Sequence, residues 1–125
     1  MSVFLGVEDL FGYIANELHY TKKELASILG TSVATVTKWE KYETIPSQEM
    51  YRRMLHFGKI MGVDCSEFTM EMYVTYVLSF VYEDDYSLIG EIDYTTNKAY
   101  IRRNADNTSK MIKLEELTNR KNDFF

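Results

Sequence analysis

An α+β fold in two small domains is what this sequence predicts. A four- or five-helix domain spans residues 1–62, and a small antiparallel β-sheet, or a helix plus a hairpin, fills residues 63–125. Three observations predict it. Up to residue 62, apolar residues recur at helical spacing between capping residues. The sequence GVDCS at 62–66 breaks that pattern. Beyond it, short β-branched and aromatic runs flank turn residues.

The first helix is read over 7–19, where Leu10, Phe11, Ile14, Ala15 and Leu18 form a stripe and Glu8 and Asp9 occupy the first turn. Thr21 followed by Glu24 is a capping box, so a second helix runs over 21–29 with Leu25, Ala26 and Leu29 inward. Gly30 ends it. Ser32 caps a third helix over 32–41, with Val36 and Trp39 inward. Pro46 and Ser47 start a fourth over 48–61, on the face Met50, Met54, Phe57 and Met61, and a short fifth turn near Ser66 closes the domain.

In the second half, YVTYVLSFVY (73–82) has the composition of a strand. A helix over 66–81 is the alternative, because Met70, Tyr73, Val74, Val77 and Val81 also fit a 3.6-residue period; the strand is preferred. LIGEIDY (88–94) and KAYIRR (98–103) flank TTN, a hairpin signal. KMIKLEEL (110–117) is a further strand or a short helix capped by Thr108 or Ser109. The end, TNRKNDFF, is expected to fray unless Phe124 and Phe125 dock.

Composition narrows the classes. Hydrophobic residues make up 46% of 125 and charged residues 26%, enough to build a core. No apolar run is long enough for a membrane span, and MSVFLGVEDL lacks the basic start of a secretory signal. The single cysteine, Cys65, cannot make an internal disulfide and suits a reducing cytoplasm. Net charge is −5, unevenly spread: residues 1–62 hold seven basic and seven acidic groups, residues 63–125 seven and twelve. The neutral half can still meet DNA if its cations face one way, and Lys22, Lys23, Lys38 and Lys41 cluster on the second and third helices. The acidic half is expected to point away from phosphate or to meet another protein.

Two short helices joined by a Gly-containing turn, with the second free to enter a major groove, form the DNA-reading helix-turn-helix. The stretch TKKELASILGTSVATVTKWEKYETIP (21–46) resembles the phage-repressor (Cro/XRE-type) helix-turn-helix family. The shared pattern is Thr21, a polar residue at Lys22, Leu25-Ala26, Gly30, Ser32, Trp39-Glu40 and Pro46, with the likeness extending over about residues 7–62. Two positions depart from it. Lys22 stands where the family usually has Gln, and Tyr42 where it usually has Gly. Tyr is strained at positive φ, so the loop after the third helix is expected to take another shape.

The resemblance implies that Val33, Ala34, Thr37 and Lys38 meet base edges: Val33 and Ala34 on thymine methyls, Thr37 on either base type, Lys38 on guanine or phosphate. Thr21, Lys22, Ser32 and Lys41 would contact phosphates, which suit helix N-termini and basic side chains. Trp39 is read as a core wedge, and Glu40 as a tie between helices through Arg52 or Arg53. The family implies a homodimer on an inverted repeat of double-stranded DNA, with half-sites one helical turn apart. Tyr73, Tyr76, Phe80 and Tyr82 are the candidates for the dimer or partner interface, against the alternative that they only fill a core.

No catalytic residue, metal or cofactor is expected. His19 and His56 sit in separate helices, Cys/His metal spacing is absent, and Cys65 reads as a small buried hydrophobe. The reading is a DNA-binding regulator of bacterial or phage type, an autorepressor by occupancy. One alternative is an antitoxin or phage-encoded defence inhibitor whose acidic half neutralises a protein partner. The other is a metal-dependent nuclease using Glu83, Asp84, Glu91 and Asp93, residues that a solvated turn explains better.

Overall fold

The computed structural model describes residues 9–117, so Glu8 and the segment TNRKNDFF, with Phe124 and Phe125, lie outside the described residues. Five helices come first and a three-stranded antiparallel sheet follows. The chain divides into two compact units between Phe68 and Thr69.

The first unit holds α1 (Leu10–Leu18), α2 (Lys22–Leu29), α3 (Val33–Glu40) and α4 (Gln48–Ile60). Each start after α1 is closed by a hydroxyl: Thr21 accepts from Glu24 N–H, Ser32 from Thr35 N–H and Ser47 from Met50 N–H, all at 3.1 Å. These bonds satisfy donors that a helix N-terminus otherwise leaves open. Asp9 flanks α1 as its N-cap without a side-chain capping bond, and no acid lies in that helix's first turn. His19 ends α1 at φ 58, in the left-handed region where His is one of the more tolerated residues.

The core of this unit joins Leu10, Phe11 and Ile14 of α1 to Leu25, Ala26 and Leu29 of α2, Val36 and Trp39 of α3, and Tyr51 and Met54 of α4. The inward face of α4 is rotated from the expected one. Tyr51, Met54 and Gly58 are buried, Met50 and Phe57 are half-buried, and Met61 is exposed. Gly58 accounts for the rotation. A Cβ there would stand 2.8 Å from Cys65 Sγ and 3.5 Å from Ile14 Cδ1, so only a bare backbone lets these groups close on α4.

The first unit also runs past Gly62, where the composition break was expected to end it. Val63 N–H donates to Gly58 O at 2.8 Å, and Tyr13 hydroxyl donates to Asp64 O at 2.7 Å. Phe68 is buried with its ring 5.5 Å from that of Tyr13. The turn near Ser66 is closed by Ser66 N–H on Asp64 Oδ1 (3.0 Å) and Phe68 N–H on Cys65 O (2.9 Å). Cys65 is half-buried, and burial raises its thiol pKa.

In the second unit, the preferred strand over 73–82 is a helix, α5 (Met70–Phe80). Thr69 caps it through Met72 N–H at 3.1 Å. Met70, Tyr73, Val74, Val77 and Leu78 bury one face, the period that was the alternative reading. Tertiary burial of that stripe overrides the β-branched composition. Glu83 and Asp84 then turn the chain at φ 54 and 63, and Asp84 N–H closes on Leu78 O.

Strands β1 (Tyr86–Leu88), β2 (Lys98–Arg103) and β3 (Ser109–Lys113) pair in that order. β1 pairs with β2 at Leu88↔Ile101, and a bridge at Asp93↔Lys98 resumes the hairpin after Gly90, at φ 69, interrupts it. The expected arm 88–94 is therefore regular only at its start. β2 and β3 pair from Lys98↔Lys113 to Arg102↔Ser109, and a 3₁₀ turn at Leu114–Glu116 follows. Ala99, Ile101 and Ile112 are buried, as is Tyr82, whose hydroxyl donates to Leu117 O at 3.1 Å.

Candidate nucleic-acid interface

The turn between α2 and α3 is built from three local devices. Thr21 and Glu24 complete both halves of the capping box, with Thr21 N–H donating to Glu24 Oε1 at 2.9 Å. The two bonds from Thr21 hold the Glu24 carboxyl below its usual range. Gly30 ends α2 at φ 75, a conformation natural to glycine, and Thr31 N–H then reaches Ala26 O. Arg53 fixes the same end by donating from Nη1 to Leu29 O at 2.9 Å.

α3 is pinned to the unit by one side. Val36 is fully buried, and the Trp39 ring meets Phe11 edge-on at 6.2 Å. At 100° per residue the opposite side carries Val33, Ala34, Thr37, Lys38 and Lys41. Val33, Ala34, Lys38 and Lys41 are exposed and Thr37 is half-buried. Small apolar residues, one hydroxyl and two cations therefore share one outward stripe. Thr37 hydroxyl donates back to Val33 O at 2.9 Å. With its proton so engaged, what the hydroxyl has left to offer a ligand is its acceptor lone pairs.

The charges are less free than their count implies. Lys22 Nζ is bound to Glu40 Oε2 at 3.0 Å, joining the start of α2 to the last residue of α3. Glu40 thus ties two helices as expected, but its partner is Lys22 and not Arg52 or Arg53; Arg53 pairs with Glu49 at 3.0 Å. Among the described residues, Lys23, Lys38 and Lys41 form no ion pair. Thr21 and Ser32 spend their hydroxyl oxygens on caps, so what these positions offer an anion is chiefly the backbone N–H groups around them.

Residues 13–60 match the helix-turn-helix family of the Cro/C1 type. The matched segment covers α2, the turn, α3 and α4, and it stops short of the second unit. The family is one of DNA-binding regulators rather than enzymes. No match is found among curated proteins or among solved structures.

One expectation about this helix-turn-helix is overturned. The loop after α3 keeps the positive-φ turn: Tyr42 adopts φ 60, with its side chain exposed. Glu43 N–H closes the turn on Lys38 O at 2.9 Å. Tyr here carries backbone strain where glycine would carry none. Neither this strain nor the Lys22–Glu40 pair follows from periodicity. The departures at Lys22 and Tyr42 from the family pattern were the signals available.

Of the interface candidates in the second unit, Tyr73 and Tyr82 are fully buried and belong to its core. Tyr76 is half-buried and its ring stacks at 5.8 Å on that of Phe80, which is 38% exposed. Glu83 and Asp84 form the turn after α5. Asp93 accepts from Thr95 and Thr96 N–H at 3.0 and 3.2 Å, and the Thr96 hydroxyl first, then these backbone bonds, hold its carboxyl low. Among the described residues, no three acidic, His or Cys side chains converge as a metal site. No helix among them is long and apolar enough to cross a membrane.

Proposed function

We propose that this chain is a sequence-specific, cytoplasmic regulator of bacterial or phage type that acts as a dimeric repressor on an inverted-repeat operator in double-stranded DNA. The observation that carries the reading is the outward stripe of α3. Val33 and Ala34 suit thymine methyls, and Lys38 suits guanine or phosphate. Thr37, as an acceptor, suits the exocyclic amines of adenine or cytosine. Lys22, Lys41 and the N-termini at Thr21 and Ser32 set the register on phosphates and carry no sequence information. The exposed Phe80 ring and its neighbour Tyr76 are the remaining aromatic candidates for the dimer contact.

A labelled duplex from the gene's own upstream region, read by fluorescence anisotropy against random duplex, tests this. Specific binding with half-sites about one turn apart is expected. Binding that random duplex removes in full would sink the regulator reading. A second reading, an antitoxin or defence inhibitor, draws on the exposed acids Glu83, Asp84 and Asp85 beside a surface aromatic pair. A stable complex with a basic protein would favour it.

A further inference from the structure

The second unit is acidic overall, yet its sheet is not. On the outward face of β2 lie Lys98, Tyr100 and Arg102, the residues alternating with buried Ala99 and Ile101. Their partners on β3 are Lys113, Met111 and Ser109. The face is therefore a central pair, Tyr100 and Met111, 41% and 47% exposed, with cations at both ends. Along β2 these cations stand about 7 Å either side of the ring.

Two facts set the face apart from an ordinary solvated one. Lys98 and Lys113 are direct cross-strand partners, an arrangement that destabilises a sheet through like charge. Arg102 and Lys113 form no ion pair among the described residues. Two carboxylates stand near its Lys98 end and keep their charge: Asp93, which feels Lys98 and is bonded within its own turn, and Glu115, which accepts from Asn97; Lys98, Arg102 and Lys113 outnumber them. Lysines on an edge strand guard against unwanted pairing, which accounts for Lys110 and Lys113. It does not account for Lys98 and Arg102 on the central strand.

We propose that this sheet face binds single-stranded nucleic acid, with a base stacked on Tyr100 beside Met111 and phosphates on Lys98, Arg102 and Lys113. A ring flanked by cations is the combination that single strands use. Two exposed apolar side chains are too few for the buried centre of a stable protein interface. The preference for nucleic acid over an acidic protein leans on the DNA reading of the first unit, but the site itself does not involve that unit.

The full chain is titrated with a labelled oligothymidylate of about 12 nucleotides at several salt concentrations, and in parallel with the upstream duplex. The wild type binds the oligothymidylate. Tyr100→Leu weakens it about 5- to 140-fold, the range for one stacked base. The double variant Lys98→Gln/Lys113→Gln flattens the salt slope by about 1.4, two contacts at about 0.7 each. The double variant loses the Lys98–Lys113 repulsion and the Lys98–Asp93 attraction together, so a melting temperature within a few degrees of wild type shows that its weaker binding is not misfolding. Equal binding by wild type and variants, or none by the wild type at low salt, overturns the proposal. Displacement by polyglutamate at matched charge overturns it in favour of an acidic protein. Failure with the duplex alone counts against the regulator reading and leaves the sheet result standing.

Discussion

Replacing Glu40 with Gln tests whether Lys22, proposed above as a phosphate contact, is held in check by its ion pair. Lys22 Nζ lies 3.0 Å from Glu40 Oε2, with side chains 39% and 48% exposed. A pair this open is worth about 0.2–1 kcal/mol, so its loss barely alters folding. The effect on DNA is opposite in sign. A phosphate must take Lys22 away from Glu40, and removing the carboxylate returns that cost as affinity, about 1.4- to fivefold. The freed ammonium also adds up to one counterion to those released, which steepens the salt slope by about 0.9. Over a fourfold rise in salt that is a further loss of about 3.5-fold relative to wild type. The assay is anisotropy on the upstream duplex and on random duplex, since a phosphate contact acts on all sequences alike. Lys22→Ala in the same background should cancel the gain, closing a double-mutant cycle. Affinity and slope identical to wild type would refute the competition, and with it Lys22 as a phosphate ligand.

Other outcomes are expected. Thr37→Ala should relax preference at one base position by about 1–3 kcal/mol and leave other positions unchanged, as read by binding to single-substituted operators. Tyr42→Gly relieves a left-handed Tyr worth about 1–2 kcal/mol and costs about 0.5–1 kcal/mol of backbone entropy. The net is a melting temperature for the first unit raised by a few degrees. Burial and then the Glu71 carboxylate, which accepts from its hydroxyl at 2.6–2.7 Å, push Tyr94 up to about 12. A raised pKa means the fold holds the proton that the unfolded chain releases near 10, so this contribution is lost as pH rises from about 10 to about 12. Tyr94→Phe should flatten that part of the stability profile.

The first unit was the more legible because its signals are local. Thr21 with Glu24, Gly30, and the caps Ser32 and Ser47 each act within a few residues, and each forms the bond its spacing predicts. The inward face of α4 was not legible. Its centre is Gly58, which has no side chain to register in a hydrophobic pattern, and its burial depends on Ile14 and Cys65. The same limit explains α5. Its residues satisfy strand composition and helix period at once, and the choice is made by burial of one stripe within the second unit. In the candidate site, the outward stripe of α3 follows from the positions of Val36 and Trp39. The Lys22–Glu40 pair spans 18 residues, and no periodicity links them.

Trp39, described above as the wedge between α3 and Phe11, is the only tryptophan in a chain with ten tyrosines. It is 5% exposed inside the first unit. Its emission, excited beyond the tyrosine band, is therefore a private optical channel for that unit. The second unit, rich in Tyr73, Tyr76, Tyr82, Tyr86, Tyr94 and Tyr100, has no tryptophan and speaks only in the tyrosine band. The tyrosine band mixes both units, because Tyr13, Tyr20, Tyr42 and Tyr51 lie in the first, so a transition seen there and absent from the tryptophan signal would report the second unit melting on its own.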